Sequence, residues 1–63
     1  MTQKELLYVE DAVEHERIII EIIEDMTNLL EDESLIDFIS KEKKKHSSMK
    51  EKLISIMEEC TNE

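Results

Sequence analysis

Apolar residues return at alternating steps of four and three along both halves of the chain, and no glycine or proline interrupts them. The first half carries two such lines. One is Leu6, Val9, Val13, Glu16, Ile20, Ile23, Thr27 and Leu30; the other is Ala12, His15, Ile19, Ile22, Met26 and Leu29. The second half carries Leu35, Ile39, Glu42, His46, Met49, Leu53, Ile56 and Cys60. This period belongs to amphipathic helices. The missing glycines remove the turn chemistry on which β-hairpins lean. The expected fold is therefore all-α.

The spacing predicts one helix over about residues 3–29 and a second over about 33–60, each near 40 Å at about 1.5 Å per residue. Thr2 with Glu5 makes a capping-box pattern, and Asp32 is the best N-cap for the second helix. The link Leu30–Asp32 is short, and short links make antiparallel neighbours. The first helix is apolar over an arc wider than one partner helix can cover. The predicted core and interface comprise Val13, Ile19, Ile20, Ile22, Ile23 and Met26 on the first helix. The second helix adds Leu35, Ile39, Met49, Leu53 and Ile56. A hairpin with that surplus is expected to be one domain that self-associates into a four-helix bundle, a homodimer or larger. A chain of 63 residues also needs such help, because its own core is small and its single cysteine excludes an internal disulfide.

Charge narrows the partners. Residues 1–40 hold twelve acids and two bases, residues 41–63 five acids and six bases, for a net charge of −9. Such a surface repels phosphate backbones and anionic lipids, so neither nucleic acid nor membrane is an expected partner. The run Lys41, Lys43, Lys44, Lys45 has no interleaved aromatic and reads as a solvated helix face beside the acidic first helix. The N-terminus lacks a basic region followed by an apolar one, and the longest apolar run is Ile18-Ile19-Ile20. The chain is expected to be intracellular, with Cys60 reduced and acting as an apolar filler or a cross-linking thiol. Ser47-Ser48 has no base or oxyanion context, so no catalytic residue is assigned.

Polar residues interrupt every line near its middle. Counting outward from the turn, Glu16 and His46 stand at one height, Glu42 lies one helical turn nearer the loop, and His15 adjoins Glu16. Ionisable groups on a buried stripe cost several kcal/mol unless paired or bound to metal. One reading is a carboxylate–histidine metal centre. Glu16, Glu42, His46 and His15 would be its donors, repeated by two-fold symmetry, and iron, manganese or zinc its metal. The other is a hydrogen-bonded network that fixes register, with Lys43 or Arg17 closing the charge. A third arrangement leaves these residues facing solvent. Lys43 occupies the position three before His46 where di-metal bundles carry a glutamate.

The run Lys4-Glu5-Leu6-Leu7-Tyr8-Val9-Glu10-Asp11-Ala12-Val13-Glu14-His15-Glu16 resembles small ferritin-like proteins of spore-forming Firmicutes, relatives of the spore coat protein F group. Their signature YVEDA–x–x–HE is matched by Tyr8–Ala12 with His15-Glu16. The later LxDxxL and KH elements are matched by Leu30–Leu35 and Lys45-His46. The similarity spans about residues 4–57. Glu33 stands where the family has proline, and Lys43 where metal-binding members have an acid. The resemblance implies a ferritin-like bundle in a coat or sporulation role, with other coat proteins as partners. The functional expectation is a small non-enzymatic structural protein. The alternatives are a metal-binding ferritin-like protein and an acidic regulatory hairpin that docks on a protein partner.

Overall fold

Thr2 starts the first helix. Its Oγ1 accepts from the Glu5 backbone N–H at 3.1 Å, and its own N–H donates to Glu5 Oε1 at 2.7 Å, closing the capping box. That backbone donor holds the Glu5 carboxyl below its ordinary range. The computed structural model describes residues 1–61, with side chains through Glu59. Helix α1 runs Gln3–Thr27 and α2 runs Glu33–Thr61. The predicted place of Cys60 at the end of the α2 seam falls outside the described side chains.

Helix α1 stops two residues before the limit that periodicity predicts. Thr27 Oγ1 donates back to the Ile23 carbonyl at 2.8 Å, and the Leu29 N–H closes a tight turn on the Met26 carbonyl at 3.0 Å. Such local hydrogen bonding competes with helix propagation. The connection is therefore Asn28–Asp32 and not three residues. Asp32 Oδ1 then accepts from the Leu35 N–H at 3.0 Å, capping α2.

The helices pack antiparallel as a rod with Cα extents of 47 × 14 × 12 Å. On α1 the side facing α2 is the first predicted line, with Ile20 and Ile23 buried and Leu6, Val9, Val13, Glu16 and Thr27 half-buried; Leu30, in the connection, is half-buried too. On α2 the inward line is Ile36, Ile39, Lys43, His46, Lys50, Leu53 and Met57. The expected line shares Ile39, His46 and Leu53 with it. Leu35, Met49 and Ile56 instead lie one position aside and are exposed within the single chain. Lys43 and Lys50 are half-buried on this line, as lysines whose apolar stems cover a seam can be, and the Lys43 ammonium reaches Glu24 of α1.

Among the described residues three, Ile20, Ile23 and Ile39, form the buried core. The chain exposes 5096 Å². A compact 7.5 kDa protein is expected to expose about 4,200 Å², so the hairpin presents roughly 900 Å² of excess surface. Its radius of gyration, 14.6 Å, likewise exceeds the roughly 11 Å of a globular chain of this length.

Candidate functional site

Two features stand apart from an ordinary helical surface. The first is a polar level in the seam. His46 Nδ1 lies 2.5 Å from Glu16 Oε2, joining α2 to α1 across thirty residues of chain. Their side chains are 27% and 12% exposed, so the pair is partly desolvated. With its proton on Nδ1 the imidazole donates to the carboxylate. One turn toward the loop, Lys43 Nζ lies 3.2 Å from a Glu24 oxygen and forms a second bridge between the helices.

The other residues expected at this level do not join it. Glu42 is half-buried and accepts from Lys45 Nζ at 3.2 Å on its own helix. His15 is exposed, on the flank of α1. Arg17 forks between Glu14, which takes Nε at 2.9 Å, and Glu21, which takes Nη1 at 2.6 Å. Its guanidinium holds the Glu14 carboxyl below the ordinary range, and Glu14 in turn raises the Arg17 pKa. Neither Lys43 nor Arg17 closes the charge of the Glu16–His46 level as expected; Lys43 pairs with Glu24 instead. The Lys43–Glu24 bridge was missed because the more apolar Leu35–Glu42–Met49–Ile56 line drew the seam assignment away from Lys43. The net negative charge of α1 was the available signal that a lysine line would face it.

Among the described residues no three His, Cys, Asp or Glu side chains converge on a point that could hold a metal ion. Within one chain Glu16 and His46 are the donors brought together, with His46 Nδ1 and Glu16 Oε2 engaged with each other. Separate ligands on a tetrahedral ion with bonds near 2.0–2.2 Å stand roughly 3.3 Å apart, wider than this contact.

The second feature is an apolar face. A cleft lined by Glu24, Thr27, Asn28, Ser40 and Lys43 shows which flanks of the two helices share a side. That side is polar, with Arg17, Glu21, Ser47 and Glu51 in line with it. The opposite side gathers the second line of α1, continued one turn back from Ala12 by Tyr8, and the Leu35 line of α2 with Phe38. Here Ile22 is 57%, Phe38 60%, Met49 50% and Leu29 83% exposed. His15, Glu42 and Lys45 lie midway along this face, and Lys52 lies toward its far end. Isolated exposed apolar residues need no explanation; two apolar groups on one side of a rod, here separated by His15, Glu42 and Lys45, mark an interaction surface.

No protein-family model, curated protein or solved structure gives a significant match to this chain. No helix among the described residues is long and apolar enough to cross a membrane.

Proposed function

We propose that the chain is a structural and interaction protein, a helical hairpin that assembles with copies of itself into a four-helix bundle. The observation that carries this reading is the exposed apolar face opposite the polar cleft. The excess surface, about 900 Å² over the whole rod, is of the same order as the roughly 800 Å² that each partner contributes to a standard interface. The likeness of Tyr8–Ala12 and His15-Glu16 to spore coat protein F relatives supports a coat-associated role for such a building unit. Melting tests the assembly. An associating chain gains stability with concentration, so its Tm should rise by roughly 10 °C or more over a hundredfold range. A constant Tm would sink the reading and leave the face to a different protein partner.

Within this bundle the Glu16–His46 pair sets the register of the two helices. Slipping one helix by a turn would break the contact and leave a carboxylate half-buried without a partner, at a cost of about 1–3 kcal/mol. The rival is the ferritin-like metal centre, which would draw Glu16 and His46 from two chains. Thermal melts with Zn(II), Mn(II) and Fe(II) separate the two readings. The register reading predicts no shift in Tm, destabilisation by Glu16→Leu or His46→Leu alone, and tolerance of the double substitution. A metal-induced rise that His46→Ala abolishes would establish the metal centre instead.

A further inference from the structure

We propose that a second copy docks on the apolar face about a two-fold axis parallel to the helices, so that α1 of each chain lies over α2 of its partner. This rests on the self-association reading and specifies its geometry. Two closed arrangements could cover the face. With the axis parallel to the rod, both loops sit at one end and every neighbouring pair of helices is antiparallel. With the axis across the rod, α1 covers the partner's α1 and α2 the partner's α2, with the loops at opposite ends.

Charge separates them. Helix α1 holds eight acids and two bases, a net of −6, whereas α2 holds six of each and is neutral. The transverse axis would lay two helices of −6 against each other. It would also bring Lys45, near the middle of α2, toward its own copy. The parallel axis places each acidic α1 between two neutral helices that carry all six lysines of residues 41–52.

Apolar matching separates them in the same direction. The face is most apolar at its loop end, where Ile22 and Met26 of α1 and Leu29 of the connection stand level with Leu35 and Phe38 of α2. The Glu16–His46 contact fixes the axial levels. The parallel axis preserves those levels between chains, so Ile22 meets the partner's Phe38 and Tyr8 the partner's Ile56, pooling the loop-end residues of both chains. Under the transverse axis Ile22 meets Tyr8 instead, and Phe38 lies beside Lys52.

The chain has one phenylalanine and one tyrosine, which makes the test direct in the unmodified protein. Sedimentation first establishes the dimer. Isotope-filtered NOE spectra of mixed labelled and unlabelled chains then report contacts between chains only. The expected result is a set of cross-peaks from the Ile22 methyls to the Phe38 ring, and none from Ile22 to the Tyr8 ring. Ile22–Tyr8 cross-peaks between chains would overturn this arrangement in favour of the transverse one. A dimer with neither set would show that another face is used. A monomer would overturn the self-association reading itself.

Discussion

Ile23→Glu is expected to unfold the hairpin. Ile23 is one of three buried side chains among the described residues, and full burial of an isoleucine is worth about 1.5–3 kcal/mol. The substitution removes that term and buries an unpaired carboxylate, at a further cost of several kcal/mol. A chain this small has about 3–5 kcal/mol available in its core, so the folded population should collapse. Circular dichroism should show loss of helical signal at all concentrations. Ile18→Glu is the control. Ile18 is exposed and lies on the flank of α1 away from the seam, so its substitution should stay within about 0.5 kcal/mol of wild type. A folded, cooperatively melting Ile23→Glu chain would show that the Ile20–Ile23–Ile39 cluster is not the core.

Phe38→Glu is expected to separate the chains. Phe38 is largely exposed in the hairpin, so the substitution leaves the Ile20–Ile23–Ile39 cluster untouched. In the proposed assembly the ring would be buried against the partner. Truncating an interface aromatic of this kind costs about 2 kcal/mol or more, roughly 30-fold in Kd, and the new carboxylate adds to it. The measurable result is a lower mass in solution at micromolar concentration, together with a lower Tm because the stabilising linkage is lost. An unchanged mass would remove the apolar face from the assembly.

These positions show what the amino-acid pattern carried. The two-helix architecture was legible because period, caps and the missing glycine and proline agree. Thr2 and Asp32 cap the helices, and Glu16 meets His46 at the level that counting from the turn requires. The seam of α2 was legible only in part. Two adjacent lines share the helical period, and the more apolar one, through Leu35, Met49 and Ile56, was the natural choice. In the hairpin the line with Lys43 and Lys50 faces α1, because a lysine stem can cover apolar surface while its charge reaches Glu24. The displaced line then forms part of the exposed face. Helix α1 ended early for a local reason, the Thr27 hydroxyl and the Asn28–Leu29 turn, which periodicity does not encode. Glu42 and His15 share the height of the polar level but not its direction. Height follows from counting residues; direction depends on which of two neighbouring lines turns inward.

Self-association carries the account, and sedimentation equilibrium of the unmodified chain measures it most directly. At micromolar concentration the mass is expected to be twice the 7.5 kDa of one chain, or a higher even multiple, with dissociation on dilution. A folded, helical species of 7.5 kDa that persists across the concentration range would contradict it.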